Sequence, residues 1–116
     1  MLALKPLIAK MLARLVQFTT GYGGTATLNT TYVTGGAIHY KKYGGVVTVK
    51  FQALVVKQLT ARTVIATIPE GFRPYTEVYG TVNNNTRYAL VSQNGDVSLE
   101  PGSAGTIYVS MTYVIA

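Results

Sequence analysis

The side chains that could carry out catalysis are few in this sequence of 116 residues. His39 is the only imidazole and cysteine is absent, so one chain cannot gather the histidine and thiolate ligands of a zinc site. The acidic residues are Glu70, Glu77, Asp96 and Glu100. Asp96 and Glu100 share one face of a short predicted strand at about 13 Å, a separation larger than the carboxyl spacing of glycosidases. The sequence therefore predicts no enzymatic activity, no metal and no cofactor.

Tyrosines, amides and guanidinium groups are the side chains that could bind a ligand. The chain has nine tyrosines and no tryptophan. A tyrosine ring can stack on a sugar, although tyrosine is also an ordinary strand residue. Amides can bond sugar hydroxyls, and guanidinium groups can pair with anionic substituents. If the protein binds a glycan, the expected contact residues are Arg73, Tyr75, Asn83, Asn84, Asn85 and Arg87.

The charge of the chain is positive and unevenly distributed. Ten lysines and arginines against four acids give a net charge of +6, and no acidic residue precedes Glu70. The basic residues are scattered, and Lys41 and Lys42 are the only adjacent pair. A nucleic-acid face is usually denser, so a solvated strand face is favoured over a nucleic-acid partner. A single-stranded nucleic-acid binder with tyrosine platforms remains as a less favoured alternative.

Residues 1–20 differ from the rest of the chain because they lack glycine and are rich in helix-forming residues. Their apolar residues recur at spacings of three and four, the seam through which helices associate. The seam predicts an oligomer interface at Leu4, Ile8, Met11, Leu15 and Phe18. An axial bundle is favoured over a helix lying on its own domain. Lys10 and Arg14 interrupt the apolar run, which argues against a secretion signal and a membrane span.

The remaining sequence predicts short antiparallel strands. Residues 21–36 form a Gly/Thr-rich linker with a first strand, and residues 37–116 form a jelly-roll-like β-sandwich. The strongest strand contains "GVVTVKFQALVV", whose alternation assigns one set of side chains to the core, namely Val47, Val49, Phe51, Ala53 and Val55. Further strands are expected at residues 37–42, 63–68, 77–82, 87–92, 96–100 and 106–115.

Three turn signals separate these strands. Gly44-Gly45 suits a hairpin, and Asn94-Gly95 is the pair expected in a type I′ turn. In "IPEGF" the proline suits the second position of a type I turn and the glycine its fourth position. We expect Phe72, which follows this turn, to fold back onto the edge of the core.

Several of these segments together resemble a known family. The segments are "VVTVKFQALVV", "VIATIPEGFRPYTEVYGTV", "NGDVSLEPG" and "GTIYVSMTYVIA". In this combination the chain from Tyr40 to Ala116 resembles the C-terminal domains of phage tail-fibre, baseplate and minor structural proteins, and "PEGFRP" is the most specific element. The resemblance implies a trimeric β-sandwich.

The resemblance also implies a function, that of a tail-fibre tip or receptor-binding domain that recognises a glycan on the host surface without catalysis. It places the chain in the virion, at a phage tail, after synthesis in the host cytoplasm. The implied partners are copies of the same chain in a homotrimer, other tail proteins and polysaccharide on the host surface, with no membrane. The alternative is a purely structural virion protein that serves assembly and binds no glycan. The sequence leaves open whether the chain is a fragment or a complete small protein.

Overall fold

The computed structural model describes residues 22–83 and 87–115, and this part of the chain is an all-β sandwich. It contains nine strands: β1 (Tyr22–Thr25), β2 (Thr27–Leu28), β3 (Val33–Tyr43), β4 (Val46–Val56), β5 (Thr63–Thr67), β6 (Val78–Thr81), β7 (Tyr88–Val91), β8 (Asp96–Leu99) and β9 (Gly105–Val114). Sheet A has the order β1-β3-β4-β9, and sheet B has the order β2-β5-β8-β7-β6. All pairings are antiparallel, which confirms the predicted fold class. The helix predicted for residues 1–20 lies outside the described residues.

The segment between residues 22 and 28 contributes one strand to each sheet. β1 pairs with β3 in sheet A, and β2 pairs with β5 in sheet B. The crossing between the sheets occurs at Ala26, which is buried and whose N–H donates to the carbonyl of Ile38 at 2.8 Å. The segment predicted as a linker and first strand therefore closes one side of the sandwich.

The core lies between the two sheets and consists of alternating strand residues. Sheet A contributes cross-strand rows such as Ile38, Phe51 and Val109. At the β9 edge of sheet A, Gly80 of β6 faces β9. A Cβ atom on residue 80 would collide with the side chain of Met111. Glycine at this position therefore allows β6 to approach β9 closely, and the two sheets meet at that side.

The predicted core face of β4 is correct only in its first half. Val47, Val49 and Phe51 are buried as expected, but Val55 is exposed and Leu54 is buried in its place. The ladders of β4 with both neighbours shift register at Ala53, which has a φ of +48°. This bulge adds one residue, and one residue is enough to exchange the two faces of a strand.

The hairpin signals were right about position and only partly right about geometry. Tyr43 pairs with Val46 across Gly44 and Gly45, as predicted. Between β7 and β8, however, the N–H of Gly95 donates to the carbonyl of Ser92, and Gly95 alone has a positive φ in this loop. A type I′ turn would need positive φ at both central residues. The loop is therefore a turn over residues 92–95 closed by a glycine bulge.

Candidate functional site

The corner at residues 69–74 lies between β5 and β6 of sheet B and packs against the edge of sheet A. Its turn is closed by the N–H of Phe72, which donates to the carbonyl of Pro69 at 3.3 Å. Gly71, the third residue of this turn, has a φ of +89°. A positive φ at the third position is the mark of a type II turn, which favours glycine because other residues are strained there. The turn thus begins one residue later than predicted and is of a different type.

Phe72 docks beneath the end of sheet A, as the sequence predicted. Its side chain is 7% exposed, and its ring centroid lies 4.6 Å from that of Tyr40 and 5.5 Å from that of Tyr22. The ammonium group of Lys42 lies 5.1 Å from the same ring and donates to the carbonyl of Gly71 at 3.2 Å. Two aromatic rings and one cation therefore hold the corner against β1 and β3.

Tyr113 fixes the same corner from the last strand. Its hydroxyl donates to the backbone carbonyl of Phe72, and its side chain is buried. Burial raises the pKa of the Tyr113 phenol to about 12, because the phenolate would lose its hydration. Tyr22, Lys42, Val47 and Tyr113 form one cross-strand row of sheet A, so the corner contacts three strands at once.

Arg73 and Tyr75 follow the corner and differ in their surroundings. The Nε of Arg73 donates to the carbonyl of Ile68 at 2.9 Å, and its guanidinium lies where a Cβ atom of Gly95 would be. Arg73 therefore ties the corner to the β7–β8 loop. Tyr75 is 62% exposed, and its backbone carbonyl accepts a hydrogen bond from the side-chain amide of Gln93. Of these two predicted contact residues, Tyr75 has the more exposed side chain.

Asn83 and Arg87 lie at the β6–β7 hairpin. Arg87 is 8% exposed and donates to the carbonyl of Glu100 at 3.3 Å and to that of Ser103 at 3.0 Å. Burial lowers the pKa of its guanidinium, because removal from water disfavours the charged form. Asn83 is exposed and borders, with Arg87, a cleft of about 270 Å³. Asn84 and Asn85 lie outside the described residues.

The structure does not bring the four described ligand-binding predictions, Arg73, Tyr75, Asn83 and Arg87, into one site. Val78 pairs with Val91 at one end of the β6–β7 ladder, and Thr81 pairs with Tyr88 at the other. Arg73 and Tyr75 precede the first end, whereas Asn83 and Arg87 follow the second. The two groups are therefore separated by the length of β6.

A surface that the sequence analysis did not identify is the outer face of sheet A. Strand pairing aligns Thr25, His39, Lys50 and Ser110 in one row and Gly23, Lys41, Thr48 and Thr112 in the next. We call the side chains of these two rows, with Tyr43 beside them, the basic face. The signal was present in "HYKKYGGVVTVK", because a two-residue hairpin loop at Gly44-Gly45 fixes which side chains lie opposite each other.

Two shallow depressions mark the basic face on either side of β3. The first, of about 310 Å³, is bordered by His39, Lys41, Tyr43, Thr48 and Lys50. The second, of about 280 Å³, lies between His39 and Lys41 on one side and the glycines of β1 on the other. The ammonium group of Lys41 lies 5.4 Å from the ring centroid of Tyr43. The face thus combines cations, hydroxyl groups and an aromatic ring.

The outer face of sheet B has a different character. Arg62, just before β5, forms an ion pair with Glu77, just before β6. In the sheet, β8 and β7 lie between β5 and β6, so the two side chains of the ion pair reach toward each other across both strands. The rings of Tyr79 and Tyr88 meet edge to face at 6.2 Å on the same side of the sheet. The neighbours of Leu90 in β7 face the core, so Leu90 itself belongs to the outer face of sheet B. It is nevertheless only 2% exposed.

Three of the four acidic side chains in the described residues make structural contacts. Glu77 pairs with Arg62, one oxygen of Glu100 accepts the N–H of Tyr88 at 2.7 Å, and Asp96 accepts from the amide of Asn94 at 3.1 Å. Within residues 22–83 and 87–115, no three histidine or acidic side chains are close enough to hold a metal ion. A search of the same residues finds no helix with the length and apolar character needed to cross a membrane.

Comparison with known proteins yields a similarity in fold to solved structures. No protein-family model matches the sequence, and no curated protein matches it. Among solved structures, the head domain of phage bIL170, reported with the receptor-binding domains of lactococcal phages, is similar with a TM-score of 0.59. The similarity covers 82% of this chain and 98% of that domain at 14% sequence identity. At this identity the similarity establishes the fold.

Proposed function

We propose that the chain acts at a phage tail as a receptor-binding domain, which attaches to carbohydrate on the host surface without cleaving it. The observation that carries the proposal is the shared fold with the bIL170 head domain, which the chain covers almost completely. The similarity of "PEGFRP" and its neighbouring segments to phage tail proteins points in the same direction. Fold alone does not determine function, so the proposal needs a binding experiment.

The proposed assembly is a homotrimer that joins other tail proteins. The support is the seam of Leu4, Ile8, Met11, Leu15 and Phe18, which lies outside the described residues. Three copies would present three equivalent binding surfaces to one cell. Multivalent attachment of this kind strengthens binding without any additional contact in a single copy.

Tyr75 and Asn83 are proposed as carbohydrate contacts. Tyr75 has an exposed ring that can stack on a sugar, and Asn83 is exposed beside a cleft. Arg73 and Arg87 are proposed to position the two loops, because both donate to backbone carbonyls. An anionic substituent would have to displace the two carbonyls bonded to Arg87, whereas the bond described for Arg73 uses its Nε.

Attachment of the labelled full chain to bacterial cells tests the proposed function. We expect binding to a subset of strains in a panel, loss of binding after periodate oxidation of the cell surface, and retention after protease treatment of the cells. Incubation with purified surface polysaccharide should release no reducing sugar. Failure to bind any strain would favour the purely structural virion protein, whereas release of sugar in proportion to protein would show an enzyme.

A pair of tyrosine variants tests the proposed contact at Tyr75. Tyr75→Ala should reduce attachment to cells while the melting temperature stays nearly unchanged, because the ring is 62% exposed. Tyr79→Ala is the matched control, since its ring is 58% exposed on the outer face of sheet B. If both variants attach as well as the unmodified chain, Tyr75 is not part of the binding surface.

A further inference from the structure

We infer that the basic face binds an acidic polysaccharide, one whose sugars carry carboxylate or phosphodiester groups. The inference rests on the proposed function and names the chemical class of its carbohydrate. It also adds a second contact surface to the one proposed at Tyr75 and Asn83. Arg87 is buried and donates to two backbone carbonyls, and Arg73 is half-buried with its Nε on a third, so the exposed lysines of the basic face are better placed to meet an anion.

The acidic side chains of the described residues lie away from the outer face of sheet A. Glu77, Asp96 and Glu100 border or belong to strands of sheet B, and Glu70 lies in the corner turn. Among the described residues, no acidic side chain lies on the two rows of the basic face. Lys41 and Lys50 therefore face solvent with no carboxylate beside them on the sheet. A surface of one sign raises the local concentration of ligands of the opposite sign.

The spacing of the groups on the basic face suits a charged sugar chain. Lys41 lies opposite Thr48, so Lys50 is its diagonal neighbour, with the two backbones roughly 7–8 Å apart. Between and beside the lysines are hydroxyl groups, and those of Thr48 and Thr112 lie 3.4 Å apart. Lysine would contact anionic substituents while the hydroxyl groups bond neutral parts of the sugar. The exposed ring of Tyr43 offers an apolar surface at the end of the row.

Glycines keep the basic face open toward the edge of sheet A. Gly23 pairs with Lys41, and a Cβ atom at Gly23 would overlap the carbonyl oxygen of Tyr40. Without side chains at residues 23 and 24, β1 approaches β3 closely and leaves the depression beside His39 and Lys41 uncovered. An extended polymer can therefore cross several strands of the sheet without meeting a bulky side chain at this edge.

Other occupants of the basic face are less well matched. A second copy of the chain would bring another basic face against it, and like charges repel. Single-stranded nucleic acid would need a continuous positive groove with aromatic side chains spaced for successive bases. The basic face instead has two lysines separated by hydroxyl groups. Both occupants are outcomes of the experiment below.

The experiment measures binding of the full chain to three immobilised polysaccharides. Polygalacturonate supplies carboxylates, poly(glycerol phosphate) carrying sugar substituents supplies phosphodiesters, and dextran is neutral. We expect binding to one of the two acidic polymers, weakening as salt is added because exposed charges are screened. The acidic polymer that binds identifies the source of the anion. Dextran should give no signal.

Charge-removing variants locate the contact. Combining Lys41→Gln with Lys50→Gln should weaken binding to the acidic polymer roughly fivefold to tenfold, as expected for the loss of two solvent-exposed charge contacts. Lys57→Gln is the matched control because Lys57 is exposed just after β4 and outside the two rows. It should change the affinity by less than roughly twofold. All of these changes are on the surface, so equal melting temperatures should confirm that the variants are folded.

Several results would overturn the inference. These are no binding to either acidic polymer, equal binding to dextran, equal loss in the Lys57 control, or tighter binding to single-stranded DNA than to both polymers. A change in oligomeric state in the double variant would show instead that the face contacts another copy. If the double variant attaches to cells as well as the unmodified chain, the inference fails while the proposed function stands. If neither the unmodified chain nor any variant attaches to any cell, the proposed function itself fails.

Discussion

Replacing Phe72 by alanine removes the ring through which the corner is attached to sheet A. The ring is 7% exposed and packs against Tyr40 and Tyr22, with Lys42 above it. Truncation of a buried phenylalanine costs about 3–5 kcal/mol of folding free energy. Because the ring of Tyr22 is itself half exposed, it can move into part of the space, so we expect the lower end, about 3 kcal/mol.

Thermal unfolding measures this loss directly. For a domain of this size, about 3 kcal/mol corresponds to a decrease in melting temperature of roughly 12–24 °C. Tyr75→Ala, which removes an exposed aromatic ring from the same segment, is the control and should stay within about 0.5 kcal/mol of the unmodified chain. If Phe72→Ala lowers the melting temperature no more than this control, the corner does not depend on the docked ring and the reasoning is wrong.

Three further predictions concern other parts of the chain. The folded pKa of Tyr113 is raised, so its contribution to stability is complete below pH 10 and is lost as pH rises from about 10 to 12, where only the unfolded phenol ionises readily. In denaturant titrations on both sides of that pH range, the Tyr113→Phe variant should lose roughly 1–2 kcal/mol less folding free energy than the unmodified chain. Equal pH dependence in the two proteins would contradict the assignment. Gly36→Ala should destabilise the domain by about 2 kcal/mol, because Gly36 has a φ of +81° and a Cβ atom would collide with Ala53, whereas the control Gly35→Ala meets only ordinary contacts. Light scattering of the full chain should report a trimer that weakens when residues 1–18 are deleted, and a monomer at micromolar concentration would contradict the axial helix.

The strands were predictable because the alternation of apolar and polar residues within them agrees with the positions of the turn residues between them. The seven strands expected after residue 36 all exist, with ends that differ by a few residues. Gly44-Gly45 fixed the longest hairpin, since a two-residue loop leaves only one register for β3 and β4. β1 and β2 were not resolved as separate strands in advance. The two strands are rich in glycine and threonine and show little alternation of apolar and polar residues. Their strand structure depends on pairing with β3 and β5.

The bulge in β4 was not predictable from the alternation of that strand alone. The sequence "FQALVV" continues the apolar pattern on either parity, because Ala53 and Val55 are as apolar as Leu54 and Val56. The partner strand decides between them. Gly36 on β3 approaches the carbonyl of Ala53 more closely than any side chain would allow, and this contact holds the extra residue. Long-range pairing therefore determined which half of the strand kept its predicted face.

The predicted ligand-binding residues were chosen by side-chain type, and type does not reveal whether a group is already occupied. Arg73 and Arg87 were chosen because guanidinium groups bind anions. The same five donors also suit arginine to bonding backbone carbonyls, and here Arg87 bonds two of them and Arg73 bonds one. Tyr75 has the exposed ring that a contact residue needs, because no strand or loop of the described residues packs over it. Three-dimensional context thus separated residues that the sequence analysis had treated as equivalent.

The only adjacent basic pair shows how one pattern can serve two roles. Lys41 and Lys42 are neighbours in β3, so their side chains leave opposite faces of sheet A. Lys42 faces the corner, where it covers the ring of Phe72 and bonds the carbonyl of Gly71. Lys41 faces outward, beside Tyr43 and one residue pair away from Lys50. Removing the charge of Lys42 should therefore weaken folding, whereas removing that of Lys41 should weaken binding, even though the two lysines are consecutive in the chain.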